Sequence, residues 1–345
     1  LVYGATAETN FARIAANIGK FHLEHSGLLL IGVALLLVGF GFKVAAAPFH
    51  MWAPDVYEGA PTPITAYMAA AVKAAAFAAF FRLWLEAFPS LLTAWHESVW
   101  WLAALTMIVG NFVALAQRNI KRLLAYSSIA HAGYILVAMV VGTKLGSSAF
   151  MFYLFAYTMA TLGAFGVIVA LGTRGEDRMS VEEYAGLWTV RPGLAGAMAV
   201  FMLALLGFPI FGGIGFFAKW YVLQAALQGP FPQTRLAVLL VVTSLVSAGY
   251  YLYVVMVMFM KPRDNTVSLP ERTGGWTRAV VWGSAAIILV FGLFPDAIVA
   301  FTRRSTPVLT TDVPAIQAPG ASPRTTAAAL NEALAVRPDS LPNGR

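Results

Sequence analysis

Residues 26–52 read SGLLLIGVALLLVGFGFKVAAAPFHMW, an apolar run long enough to cross a membrane as a helix. The run holds a single lysine, Lys43. Gly39 and Gly41 come just before it and Pro48 just after it, and these residues weaken or break a regular helix. An interrupted helix persists at membrane depth only where protein or water covers its freed backbone groups. The stretch therefore predicts a discontinuous membrane helix with a lysine beside the break.

The rest of the chain repeats this apolar character. The composition is 59 % hydrophobic and 11 % charged, which is typical of membrane proteins and not of soluble domains. Many tryptophans lie near the ends of apolar runs, as expected at membrane interfaces. We predict an all-α, polytopic membrane helix bundle with eight spans, at 26–52, 62–85, 97–116, 120–142, 147–172, 192–228, 236–260 and 276–300.

The span at 192–228 is too long for one helix and too short for two crossings. Its middle, residues 207–215, reads GFPIFGGIG, which cannot form a regular helix. A second lysine, Lys219, follows this break, just as Lys43 lies beside the first one. Interrupted helices at corresponding positions of two repeats indicate the ion path of a transporter. We therefore predict an inverted-repeat, antiporter-like fold.

Basic residues predict the orientation of the bundle. Ten Lys and Arg residues belong to loops 53–61, 117–121, 173–191 and 261–275 or nearby span ends, against five on the other side before residue 301. The richer side is expected to face the cytoplasm. The C-terminal tail is then expected on the outer, periplasmic side of a bacterial inner membrane.

Two domains follow from the change in composition. Residues 1–300 form the predicted membrane domain, and residues 301–345, rich in Thr, Ala and Pro, form a predicted disordered tail. The chain starts with Leu1 rather than Met, so we expect its beginning to be missing. It contains no cysteine, which excludes thiolate metal sites and protein-ligated iron–sulfur clusters. Its scattered basic residues form no patch for nucleic acid.

The candidate functional residues are three lysines within apolar helices: Lys43, Lys73 and Lys219. A lysine near the bilayer centre costs about 2.5–3.5 kcal/mol even on permissive insertion scales. Burial disfavours the ammonium form, so such lysines can take up and release protons. The alternative is that their side chains snorkel to a membrane surface. All sixteen carboxylates fall in loops, span ends or the tail, so we expect no acid of this chain to pair with these lysines at depth.

His131 is a fourth candidate for a proton relay. It follows the hydroxyl residues Tyr126, Ser127 and Ser128 on one predicted helix. A histidine with hydroxyls one and two turns away is a natural relay member, although a purely helix-packing role is the alternative. His50, close to Pro48, is a weaker candidate. Walker, HExxH and Ser/His/Asp patterns do not occur.

Three stretches resemble subunit N of proton-pumping NADH:quinone oxidoreductase, an antiporter-like subunit family of complex I. They are GFKVAAAPFHMWAPDVYEGAPTP at 41–63, GNFVALAQRNIKRLLAYSSIAHAGY at 110–134, and the Gly-Phe-Pro break that leads to FAKWY at 217–221. The second break is two residues longer than the commoner Gly-Ile-Pro-Pro-Thr-Ala-Gly pattern of the family. The resemblance covers residues 1–300.

The resemblance implies that the chain holds helices seven to fourteen of a fourteen-helix fold. It places Lys43 and Lys219 in the broken helices of the two repeats, Lys73 on the helix after the first break, and His131 on the central hydrophilic axis. The family's glutamate partner of Lys43 belongs to an earlier helix. NADH, flavin, iron–sulfur clusters and quinone are expected in partner subunits, and no cofactor is expected in this chain.

The resemblance thus implies a proton translocase subunit that contacts the lipid bilayer and the other membrane subunits of complex I. The alternative function is that of a subunit in a monovalent cation/proton antiporter, which shares the fold and the lysines. A third alternative is a structural scaffold whose lysines hold only lipid or neighbouring helices.

Overall fold

The computed structural model describes residues 1–172, 179–209, 213–228, 232–263 and 274–305. The predicted all-α class is confirmed. The α-helices in this part of the chain are α1 Val2–Thr6, α2 Phe11–Lys20, α3 Gly27–Lys43, α4 Trp52–Gly59, α5 Thr62–Tyr67, α6 Lys73–Ala87, α7 Leu92–Leu115, α8 Ile120–Val141, α9 Lys144–Leu171, α10 Leu187–Val190, α11 Pro192–Leu206, α12 Ile214–Leu227, α13 Thr234–Met260, α14 Gly275–Leu293 and α15 Asp296–Ser305.

Six helices of the described residues are long and apolar enough to cross a membrane. They correspond to the six predicted spans that lack a break, and their bounds are Thr62–Ala87, Pro89–Leu115, Ile120–Val141, Lys144–Leu171, Thr234–Met260 and Gly275–Leu293. The first of these is continuous because one π-helical turn, Met68–Val72, joins α5 to α6. Sequence periodicity gave no sign of this turn.

The last predicted span, 276–300, is wrong at its end. Helix α14 stops at Leu293, and Phe294 leaves the helical conformation before Pro295. A proline disfavours helical geometry in the residue before it, which explains the stop. The next helix, α15, runs to Ser305. The predicted disordered tail therefore starts at least five residues too early, and the remainder of that prediction, 306–345, lies outside the described residues.

Both predicted helix breaks are present. Helix α3 ends at Lys43, and α4 begins at Trp52 after an irregular connection that contains Pro48. Helix α11 ends at Leu206, where Gly207 adopts a left-handed conformation with φ 79°. Helix α12 begins at Ile214. Four short helical segments thus replace two continuous spans.

Helix α8 occupies the centre of the bundle. In its most apolar stretch 89 % of the residues are buried, compared with 22 % in α14. Glycines allow it to lie directly against α7: a Cβ atom at Gly110 would lie 2.4 Å from the backbone nitrogen of Ala130. One at Gly133 would lie 2.7 Å from the backbone nitrogen of Met107. The side chains of α8 are consequently held in a packed interior.

Loops that were predicted on one side of the membrane contact each other at one end of the bundle. Arg122, at the start of α8, contacts Asp55 and Glu58 of α4, each with an N to O distance of 2.7 Å. Asn119 donates a hydrogen bond to Glu58 at 2.8 Å and forms a backbone bridge with Ser180. The connection after the first break is thereby fixed to the loop before α8.

The loop after α9 is fixed to the end of α13 in the same way. Glu182 accepts hydrogen bonds from Lys261 at 2.7 Å and from Tyr253 at 2.5 Å. These bonds hold the pKa of the Glu182 carboxyl below its usual value. Arg118 donates to the Tyr253 hydroxyl at 2.7 Å. The described parts of all four basic loops therefore share one end of the molecule, as the sequence predicted.

Candidate functional site

Lys73 lies in the interior, only 2 % exposed, directly after the π-helical turn. Its Nζ donates hydrogen bonds to the Ser128 carbonyl at 2.8 Å and to the Ser128 Oγ at 2.6 Å. The ring of Tyr157 lies 6.0 Å from Nζ. Because π-helical turns are frequent at functional sites, the turn is a second indication that this lysine has a special position.

His131 is buried on α8 between two tyrosine hydroxyls. Its Nδ1 lies 2.8 Å from the Tyr153 hydroxyl and its Nε2 lies 3.0 Å from the Tyr251 hydroxyl, which also hydrogen-bonds to Ser127. A neutral imidazole has one donor and one acceptor nitrogen, and a hydroxyl can fill either role. Both tautomers therefore find partners, so a proton can enter at one nitrogen and leave from the other.

Lys219 lies on α12 beside the second helix break and is 8 % exposed. Its Nζ donates a hydrogen bond to the carbonyl of Leu206 at 2.9 Å. Leu206 is the last residue of α11, so this carbonyl has no partner within the helix and lies at the negative end of the helix dipole. The ring centroid of Tyr134 is 4.8 Å from the same Nζ.

A small cavity borders both His131 and Lys219. Its wall includes His131 and Lys219 together with Tyr153 and Tyr157, and it has room for about one water molecule. Ser128 and His131 are three residues apart, so both lie on one face of α8. The structure therefore brings Lys73, Ser128, His131 and Lys219 into one series across the bundle interior.

Two of the predicted residues lie apart from this series. Lys43 is the last residue of the apolar helix α3 and is exposed in the described chain, so its predicted role in the relay stays a prediction. The helix stops at this residue. His50 is buried and contacts the ring of Tyr126, with centroids 6.5 Å apart. Its Nδ1 has no hydrogen-bond partner among the described residues.

The sequence analysis missed the tyrosines of the site. Tyr153 and Tyr157 are four residues apart on α9 and therefore share one helix face. That spacing of hydroxyl groups within an apolar span was a usable signal. Tyr251 and Tyr134 gave no comparable signal, because their role depends on which helices pack against each other.

Among the residues that the structure describes, Lys73 and Lys219 form no ion pair. The salt bridges found there join surface or half-buried residues, and none includes Lys73 or Lys219. Backbone carbonyls, a hydroxyl and aromatic rings surround these amines instead. The described residues contain no group of three His, Asp or Glu side chains that could hold a metal ion.

Comparisons with known proteins agree with this architecture. Residues 1–247 match the family model described as NADH:quinone oxidoreductase/Mrp antiporter, TM. A relative from Gemmatimonas aurantiaca, NADH-quinone oxidoreductase subunit N, is 53 % identical over 89 % of this chain and 58 % of its own length. The chain thus spans less than two thirds of that relative.

Two solved structures have a similar fold. A chain of respiratory complex I from Thermus thermophilus is 36 % identical, with a TM-score of 0.66 over 87 % of this chain and 71 % of its own. A chain of the Mrp complex from Dietzia sp. has a TM-score of 0.77 over 91 % of this chain and 65 % of its own. The latter is 20 % identical and shows a shared fold alone.

Proposed function

Because the chain belongs to the NADH:quinone oxidoreductase/Mrp antiporter transmembrane family, we propose that it is a proton-translocating membrane subunit, subunit N, of an NADH:quinone oxidoreductase. The observation that carries this proposal is the series of buried protonatable groups: Lys73, His131 and Lys219. The relatives named NADH-quinone oxidoreductase subunit N support the choice of complex.

The surroundings of the two interior lysines suit reversible protonation. The Ser128 oxygens stabilise the ammonium form of Lys73, and the Leu206 carbonyl stabilises that of Lys219. Burial, in contrast, favours the neutral amine. A carboxylate at ion-pair distance would hold the ammonium far more firmly. With neutral partners the two forms lie closer in free energy, so each lysine can pass its proton on.

His131 links the two lysines in this proposal. In the proposed path, a proton from Lys73 passes to the Ser128 hydroxyl, its hydrogen-bond partner, and from there through water to the imidazole one turn along α8, while the cavity beside His131 also borders Lys219. Moving one charge across the membrane is worth about 2.3 kcal/mol per 100 mV. A relay of this kind therefore couples a change in the lysine charges to the proton-motive force.

The redox chemistry belongs to other subunits in this proposal. NADH, flavin, iron–sulfur clusters and quinone would bind to partner subunits, and the chain would act as one translocating part of the oxidoreductase. Its partners would be the neighbouring membrane subunits and the lipid bilayer. The basic loops at one end would face the cytoplasm of a bacterium, and residues 306–345 would lie on the periplasmic side of the inner membrane.

The proposal is tested in the assembled complex with Lys73→Met. We expect loss of most NADH-driven proton uptake by inside-out vesicles, because methionine preserves the side-chain length but cannot carry a proton. Lys144→Met is the matched control, since Lys144 is exposed at the start of α9. Normal pumping by Lys73→Met would refute the relay. Sodium-dependent transport without NADH-linked activity would instead favour a cation/proton antiporter subunit.

A further inference from the structure

Among the described residues, Lys219 has few hydrogen-bond partners for a buried amine. The hydrogen bond of its Nζ to the Leu206 carbonyl satisfies one of three N–H groups. Lys73, in contrast, reaches two oxygens of Ser128. On its other side Lys219 faces the ring of Tyr134, whose centroid lies 4.8 Å away. This distance is within the range of about 6 Å in which an ammonium is attracted to an aromatic face.

The Tyr134 ring is held in place by a chain of hydrogen bonds from two other helices. Asn111 of α7 donates to the Tyr134 hydroxyl at 2.9 Å, and Tyr250 of α13 donates to the Asn111 Oδ1 at 3.0 Å. The same amide nitrogen donates to the Met107 carbonyl at 2.7 Å. A carbonyl only accepts, so this bond fixes which amide atom is nitrogen.

We infer that the ring face of Tyr134 holds the ammonium form of Lys219 in place of a carboxylate, and that Asn111 is a positioning residue for that ring. The inference rests on the proposed relay role of Lys219. An aromatic face attracts the cation but ignores the neutral amine, so it favours proton uptake. Because the ring has no net charge, it does not form an ion pair with the ammonium, so Lys219 can still release its proton.

His131, the other protonatable group beside Lys219, does not take this role. Among the described residues, the cavity beside it is lined by His131, Tyr153 and Tyr157. Both ring nitrogens of His131 already have hydroxyl partners. Tyr134 is the described ring that lies over the Lys219 amine, since the other cation and ring contacts involve Lys20, Lys73, Arg82, Arg118 and Lys261.

Ring fluorination separates this electrostatic role from a role in packing. Tyr134 is replaced, within the assembled complex, by phenylalanine and by phenylalanines with one, two and three ring fluorines. Fluorine weakens the negative ring face and changes the shape very little. We expect proton uptake per NADH oxidised to fall with each fluorine, to a total loss of roughly tenfold. Equal pumping across the series would overturn the inference.

Two controls accompany the series. The same replacements at Phe165, a fully buried ring that lies over no lysine among the described contacts, should leave pumping unchanged. Lys219→Met tests the proposed function itself: it should abolish pumping whether or not Tyr134 acts as inferred. If Lys219→Met stops pumping and the fluorinated series stays flat, only the inference about Tyr134 fails.

Asn111 is tested by a double-mutant cycle. Asn111→Leu should lower pumping when Tyr134 is present, because the ring then loses a hydrogen bond that orients its face toward Lys219. With Tyr134→Phe the hydroxyl partner is already gone, so Asn111→Leu should have little further effect. Fully additive losses in the two variants would show that Asn111 acts independently of Tyr134 and would overturn its positioning role.

Discussion

At the scale of single residues, the interior amines are solvated by neutral groups. Lys73 contacts oxygens of Ser128, and Lys219 contacts the free carbonyl at the end of a half-helix. The sequence predicted that Lys73 and Lys219 lie within apolar helices, because a charged residue in such a run is conspicuous. It could not identify their partners, since Ser128 is 55 positions from Lys73 and meets it only through helix packing.

Lys43 shows the limit of the same reasoning. Its sequence context is as apolar as that of Lys219, yet its side chain is exposed in the described chain. Apolar neighbours along the helix establish that a residue lies within a hydrophobic run, but not which way it faces or what packs against it. Burial is decided by the other helices, and that information is absent from the local sequence.

The hydroxyl of Tyr153 provides a test of the relay at His131. We expect Tyr153→Phe to lower NADH-driven proton uptake several-fold, because the ring keeps its packing while Nδ1 loses its partner for proton exchange. Tyr67→Phe, on an exposed tyrosine 60 % accessible, is the matched control. The measurement is the ratio of proton uptake to NADH oxidation. An unchanged ratio for Tyr153→Phe would exclude this hydroxyl from the path.

At the scale of helices, glycine and proline made both breaks predictable. Pro48 and the Gly207–Gly215 stretch interrupt apolar runs, and the structure divides the helices at those places. The π-helical turn before Lys73 was not predictable in this way. Its sequence, Met68–Val72, consists of ordinary helix formers, so the turn reflects how this helix packs against its neighbours rather than a local preference.

The contact between α7 and α8 predicts a sharp difference between two glycine substitutions. Gly110→Ala would place a Cβ atom 2.4 Å from the Ala130 backbone nitrogen, so the two helices must separate. We expect a loss of about 1–3 kcal/mol in stability, as for other overpacked interiors. Gly283→Ala on α14 is the control, because no atom lies within 4 Å of its added Cβ.

Thermal unfolding of the purified complex in mild detergent measures this difference. The Gly110→Ala protein should unfold at a lower temperature than the unmodified protein. The Gly283→Ala protein should unfold at the same temperature or higher, because alanine favours helix more than glycine does. Equal stability of the two variants would mean that α7 and α8 can move apart without cost.

At the scale of the whole molecule, the number of predicted spans correctly grouped the loops. The loops around Glu58, Asn119, Glu182 and Lys261 were assigned to one side by counting membrane crossings, and hydrogen bonds join them in the structure. An even number of membrane spans separates each of these loops from the next along the chain, which explains why they meet at one end of the bundle.

Single cysteines settle the orientation, since the chain contains no cysteine of its own. Ala116 is exposed at the basic end of the bundle, and Ser90 is exposed in the turn between α6 and α7 at the other end. The excess of Lys and Arg predicts that the basic end faces the cytoplasm. An impermeant thiol reagent should therefore label Ala116→Cys in inside-out vesicles and Ser90→Cys in right-side-out vesicles. The reverse pattern would place the basic loops outside the cytoplasm and would overturn the predicted orientation.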